Sequence, residues 1–186
     1  MSEFQLYLEL GFTHILDLDG TDHILFIIAM MCVYKRSDWK SILGIITSFT
    51  IGHTVTLFLS VFKIIRVNSN FIEVAIAVTI LLACIENILS KKATDKRLLF
   101  SGIFGLIHGL GFSNYLSSLL GSSKSIFMPL LAFNIGLELG QFLLVIAMFT
   151  IIFLLYKFFS MNQKKFILFS SFLISIQSIL LIVERI

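Results

Sequence analysis

The chain has 186 residues, of which 58% are hydrophobic and 13% charged, with a formal net charge of +3 and a mean hydropathy of +1.00. That composition excludes an ordinary soluble domain and fits an all-α integral membrane protein, whose helices satisfy their own backbone groups where water is absent. The basic residues border apolar runs instead of forming a stripe interleaved with aromatics, which excludes nucleic acid as a partner, and Cys32 and Cys84 make no CxxC pair.

At the start, Met1-Ser2-Glu3-Phe4 shows no basic region followed by a small-residue cleavage site, so no cleavable signal peptide is expected. Residues 3–16 form a moderately amphipathic stretch, too short and too acidic to span, with Phe4, Leu8 and Phe12 on one side. The segment 1–19 is therefore expected to lie at the interface or to dip in as a re-entrant helix. The stretch from Asp17 to Asp22 breaks the helical pattern around Gly20, and Thr21 or Asp19 is positioned to cap the next helix.

Six spans follow, at about 22–35, 41–62, 71–89, 98–120, 125–159 and 166–183, each bounded by charged or small polar residues. The first is short. With the segment before it, it reads as a discontinuous helix whose break lines a polar cavity. The chain's one proline, Pro129, falls in the first turn of the fifth span, where a missing N–H costs least. The whole is one polytopic membrane domain, a six-helix bundle plus the short N-terminal helix.

Ten basic residues fall in alternate loops on one side: Lys35, Arg36, Lys40, Lys91, Lys92, Lys96, Arg97, Lys157, Lys164 and Lys165. Four, Lys63, Arg66, Lys124 and Arg185, fall on the other. The positive-inside rule then places both termini outside, with the Asp-rich stretch at the outer end of the bundle.

The chemistry-bearing residues sit inside or at the ends of apolar runs. His14, Asp19, Asp22 and His23 crowd the first stretch, and Glu73 opens the third span. In the second span Thr47, Thr50, His53 and Thr54 share a polar helical face. The fourth carries His108 among the small residues Ser101, Gly102, Gly105, Gly109 and Gly111, which let helices approach closely. On the fifth, Asn134, Glu138 and Gln141 form a stripe at i, i+4 and i+7. By depth His14, Asp19, Asp22, His23 and Glu73 fall at the outer end, and His53, His108, Asn134 and Glu138 nearer the middle, along one descending path. A lone histidine on an apolar face is usually a satisfied core residue, but four at comparable depth with carboxylates and amides point to a cation. A carboxylate such as Glu138 at the bilayer centre needs a partner cation, a proton or water; the bland alternative is a protonated Glu138 bonded to Asn134. Imidazole nitrogen with carboxylate and amide oxygen suits nickel, cobalt or zinc better than calcium or magnesium, and the lack of thiolates argues against copper(I).

At these residues the sequence resembles the HupE/UreJ family of hydrogenase and urease accessory membrane proteins. The resemblance is carried by Gly11-Phe12-Thr13-His14-Ile15-Leu16 with Gly20-Thr21-Asp22-His23-Ile24-Leu25-Phe26, by Phe49-Thr50-Ile51-Gly52-His53-Thr54, by Glu73 with Asn87, by Phe104-Gly105-Leu106-Ile107-His108-Gly109-Leu110-Gly111-Phe112, and by Phe133-Asn134-Ile135-Gly136-Leu137-Glu138-Leu139-Gly140-Gln141. It implies a nickel or cobalt permease of the cell (inner) membrane, with the lipid bilayer, the metal ion and metalloenzyme-maturation proteins as partners. The chain departs from the family's pattern in a longer stretch between His14 and Asp22 and in lacking the proline often found after the first histidine. Two other functions fit the same residues: a membrane-embedded zinc hydrolase, in which Glu138 or Glu73 acts as base on a zinc-bound water, and a non-transporting metal sensor or metalloenzyme-assembly partner. Polar residues continuing toward the cytoplasmic side favour transport; a single closed site beside a lipid-sized groove favours the hydrolase.

Overall fold

The computed structural model describes residues 2–18, 20–90, 93–94, 96–120, 126–159 and 161–186. Among them run α1 (Glu3–Leu16), α2 (Asp22–Met31), α3 (Trp39–Val61), α4 (Ser69–Ser90), α5 (Arg97–Leu120), α6 (Phe127–Phe159) and α7 (Gln163–Arg185), with a single 3-10 turn at Arg36–Asp38 before α3. Helices α3 to α7 are each long and apolar enough to cross a membrane. At 10 residues α2 is about 15 Å long, half a hydrocarbon slab. The expected span at 22–35 thus stops at Met31, where the chain turns and Lys35 N–H is caught by the Asp38 carboxylate at 2.8 Å. Among the described residues, five helices are long enough to span, in place of the expected six, and the short first span and the segment before it form the two separate helices α1 and α2.

Local chemistry sets the helix ends. Ser2 and Gln5 form a reciprocal capping box on α1, and Asn162 accepts from Lys165 N–H at the start of α7. Thr21 takes the N-cap position of α2 but makes no side-chain capping bond, and the other expected cap, Asp19, lies outside the described residues. The expected start of the fifth span at 125 also lies outside them, as do Lys91, Lys92 and Lys124 of the charge count.

The helices pair. The most extensive interfaces are α3 with α5, α1 with α6, and α4 with α7. In the first, a Cβ on Gly105 would overlap the Phe49 carbonyl, and one on Gly52 the Gly102 carbonyl, so the two backbones touch where only hydrogen can stand. In the second, Gly11 meets the Phe133 carbonyl and Gly136 the Leu8 carbonyl in the same way. Instead of lying free at a surface, α1 turns Tyr7, Gly11 and Ile15 into the protein against α6. Helices α4 and α7 run antiparallel, with Glu73 beside Arg185 at one end and Asn87 beside Ser171 toward the other. Ile51, Val55, Leu82, Ile146 and Phe172 stay exposed on outer faces, as lipid contact requires, whereas His53, Asn87, His108 and Gln141 are buried inside.

Arg97, counted above with the loop cations, is wholly buried. Its guanidinium donates to the Met30 carbonyl at 2.9 Å and to Asn87 Oδ1, and pairs with Glu86 at 3.0 Å. Asn87 in turn donates to the Ala29 carbonyl at 2.7 Å and to Ser171 Oγ at 3.1 Å. A cation buried without partners is costly, and this one is surrounded by acceptors. The hub fastens the C-terminal turn of α2 to α4, α5 and α7.

The glycine contacts carry a stability prediction. Gly105→Ala forces α3 and α5 apart at backbone, at an overpacking cost of about 1–3 kcal/mol. Thermal unfolding in detergent is expected to show Gly105→Ala melting roughly 5 °C below the unsubstituted chain. Gly44→Ala, whose new methyl would meet only the flexible end of Leu98, is expected to melt where the unsubstituted chain does.

Candidate metal centre

Four imidazoles converge from four helices. His14 stands in the last turn of α1 and His23 in the first turn of α2, so the break between these helices brings the two rings to 4.6 Å between centroids. The α3–α5 glycine contact does the same for the second pair, the backbone of Gly109 lying against the carbonyl of His53. His53 is 6.1 Å from both His14 and His23, and His108 is 5.2 Å from His23. Donor nitrogens of His14, His23 and His53 lie within 4.8 Å of one another. A tetrahedral ion with metal–nitrogen bonds of about 2.0–2.1 Å spaces its donors about 3.3 Å apart. Modest rotations of the side chains close that difference.

These nitrogens are poorly satisfied by protein. His14 Nε2, His23 Nε2, both nitrogens of His53 and His108 Nδ1 are buried without a hydrogen-bond partner among the described residues. Leaving one buried polar atom unpaired costs about 1–3 kcal/mol, and since each neutral imidazole carries one lone pair, the cluster offers up to four nitrogens able to hold a cation, which makes it a candidate site. The tautomer of His108 follows from its neighbour. Thr79 Oγ1 gives its one proton to the Ile76 carbonyl at 2.7 Å, so at 3.3 Å from His108 Nε2 it can only accept. That arrangement favours the hydrogen on Nε2 and the lone pair on the unpaired Nδ1, an orientation that ligand histidines use.

Beneath the imidazoles lies an aromatic floor. Phe26, Phe49 and Phe104 stand one helical turn from His23, His53 and His108, each on the side toward Arg97 and the start of α3. All three are buried, with ring centroids 5.1 Å apart for Phe26 and Phe49 and 5.6 Å for Phe26 and Phe104. On the opposite side the cluster opens into a cleft of about 220 Å³ lined by His14, Asp17, Asp22, His23, Glu73 and His108, with Arg185 in its wall. There Arg185 Nη2 meets Asp22 Oδ2 at 3.0 Å and Arg185 Nε meets Glu73 Oε2 at 3.5 Å. With α4 as a ruler at 1.5 Å per residue, Glu73, Thr79 and Asn87 put the acidic rim about 9 Å above the imidazoles and the Arg97 hub about 12 Å below them.

The remaining expected ligands form a separate feature. Asn134 accepts from Thr54 Oγ1 at 2.6 Å, Gln141 from Thr50 Oγ1 at 3.0 Å and Glu138 from Thr47 Oγ1 at 2.7 Å. This polar seam between α3 and α6 starts beside His53 and runs toward the beginning of α3. Of the nine residues expected to bind metal, the fold brings together His14, His23, His53 and His108, sets Asp22 and Glu73 at the rim, keeps Asn134 and Glu138 in the seam, and leaves Asp19 outside the described residues. Three contributors escape a reading of the sequence: Thr79, the floor phenylalanines and Arg185. The last had a visible signal, a cation closing an apolar helix at the level of two carboxylates.

A family model described as HupE / UreJ protein matches residues 1–185. The chain belongs to the HupE/UreJ family. Membership and five apolar helices make it a membrane protein and suggest a metal-related accessory or transport role. No curated protein and no solved structure gives a match to the chain. The family motifs given above are the ones that fill this interior: each of the four histidine motifs contributes one ring to the cluster, and Phe133-Asn134 to Gln141 supplies the seam.

If the imidazoles act together, His53→Ala is expected to weaken nickel binding by tenfold or more, a loss of about 1.4 kcal/mol or greater. Glu9→Ala, on the exposed side of α1, is expected to leave it unchanged; isothermal titration calorimetry on the purified chain compares the two.

Proposed function

We propose that this HupE/UreJ protein is a membrane permease that passes a divalent transition metal, nickel or cobalt first and zinc as a further fit, from the rim cleft to the opposite side of the bundle. The observation that carries the reading is an imidazole cluster that opens to an acidic cleft on one side and is continued on the other by the Thr54–Asn134, Thr50–Gln141 and Thr47–Glu138 seam. The rim concentrates cations. The imidazoles of His14, His23, His53 and His108 replace water ligands as the ion sheds its shell. Arg97 makes the direct line past the phenylalanine floor electrostatically unfavourable, which leaves the amide and hydroxyl seam ending at Glu138 as the way onward.

The hydrolase alternative gains no comparable support. It places a carboxylate base beside the metal, whereas the two bases it names lie elsewhere: Glu73 pairs with Arg185 at the rim and Glu138 meets Thr47 in the seam. Transport needs no nucleotide motor. With both termini outside, as the distribution of Lys and Arg favours, an inside-negative potential drives a divalent cation inward by about 4.6 kcal/mol per 100 mV, twice the value for a single charge.

Two experiments test this reading. Purified protein in proteoliposomes with an imposed potential is expected to take up nickel or cobalt, with Glu138→Gln slowing flux several-fold while keeping a normal melting temperature; no potential-dependent uptake above empty vesicles would remove the permease reading. For orientation, single cysteines at Ser37 and Asn68 are labelled in intact cells with an impermeant reagent. Position 68 is expected to react and position 37 to stay protected, and the reverse pattern would invert the topology.

A further inference from the structure

Arg185 terminates α7 in the wall of the rim cleft, and its contacts are specific. One edge of the guanidinium forks onto Asp22, with Nη2 at 3.0 Å from Oδ2 and Nη1 at 3.4 Å from Oδ1. Nη1 also donates to the Glu73 backbone carbonyl at 3.0 Å, and Nε pairs with the Glu73 carboxylate at 3.5 Å. One residue thus engages the side-chain oxygens of two carboxylates that line the same cleft as His14, His23 and His108. His23 Nε2, more than nine-tenths buried, is left unpaired in that cleft.

Hard and borderline cations differ in what they want from such a place. Calcium and magnesium need oxygen donors, carboxylates above all, while nickel, cobalt and zinc accept imidazole. With Arg185 in position the carboxylates of Asp22 and Glu73 are held by a fixed cation, whereas His23 Nε2 has no protein partner among the described residues. Of the unit charges on Asp22 and Glu73, one is cancelled in place, which retains an attractive rim without a cage of free carboxylates.

We infer that Arg185 is a specificity-determining residue, an internal cation that withholds Asp22 and Glu73 from calcium and magnesium so that an entering ion is selected chiefly by imidazole. This rests on the transition-metal reading of the cluster. A planar fork is the right group for the task, since it matches Asp22 at two atoms and is always charged, whereas a lysine offers a single point charge.

The test is competition calorimetry on the full chain, titrating nickel with and without calcium or magnesium. In the unsubstituted protein the nickel isotherm is expected to be the same in both buffers. In Arg185→Gln, calcium at about ten times the millimolar-class Kd of a loose carboxylate site is expected to weaken apparent nickel affinity about tenfold. Arg185→Lys is expected to fall between, which a simple helix clip would not produce. Should Arg185→Gln fail to fold, Arg185→Lys supplies the readout: a nickel isotherm in that variant that ignores calcium and magnesium would overturn the inference. A normal nickel isotherm in Arg185→Gln that ignores calcium and magnesium would overturn it too, leaving the transport reading intact. Absence of any nickel, cobalt or zinc binding in the unsubstituted chain would defeat both.

Discussion

Backbone contact between α3 and α5 is the constraint on which the rest depends. Gly52, Gly105 and Gly109 let carbonyl oxygens of one helix rest on Cα atoms of the other, and that spacing decides where His53 and His108 stand. In lipid there is no hydrophobic drive to press helices together, so close fit and buried polar contacts must supply the association. The same device recurs between α1 and α6 at Gly11 and Gly136, and it delivers His14 to the same place. Small residues thus act on the site without touching it.

Every polar group inside such a bundle has to be accounted for, and the accounts differ sharply between layers. Around Arg97 each strong donor but Nε finds an acceptor, and along the α3–α6 seam each threonine hydroxyl finds an amide or carboxylate oxygen. Between them the imidazoles do not. That contrast separates a polar network that fixes helix positions from one that has unspent binding capacity. Glu138 is half-buried, and the exposed Thr47 reaches it from the neighbouring helix at 2.7 Å.

Much of this was legible in the sequence. Hydrophobic run lengths gave the five long helices, helical spacing gave the polar faces of α3 and α6, and the rarity of histidine in an apolar chain singled out all four members of the cluster. What stayed hidden depends on inter-helix register, which no local pattern encodes. Arg97 reads as an ordinary flanking cation until α2 ends beside it, and Arg185 reads as one until α7 is laid antiparallel to α4. Depth grouped Asn134 and Glu138 with the histidines, and the structure adds their partners Thr54 and Thr47 on α3 and the Phe133 ring stacked against His53 at 6.2 Å. The length of α2 was also overstated, since the apolar run continues through Cys32, Val33 and Tyr34 after the helix has turned.

The pairing of helices gives the interior a mechanical character. His14 belongs to the α1–α6 pair, His53 and His108 to the α3–α5 pair, and His23 to α2, which the Arg97 hub and Arg185 tie to the α4–α7 pair. Between α3 and α6, by contrast, the side-chain hydrogen bonds among the described residues are the three of the threonine seam. A ligand held by rings from all three pairs would act as a removable rivet, adding a tie at the centre of the bundle to the contacts by which the fold already joins them.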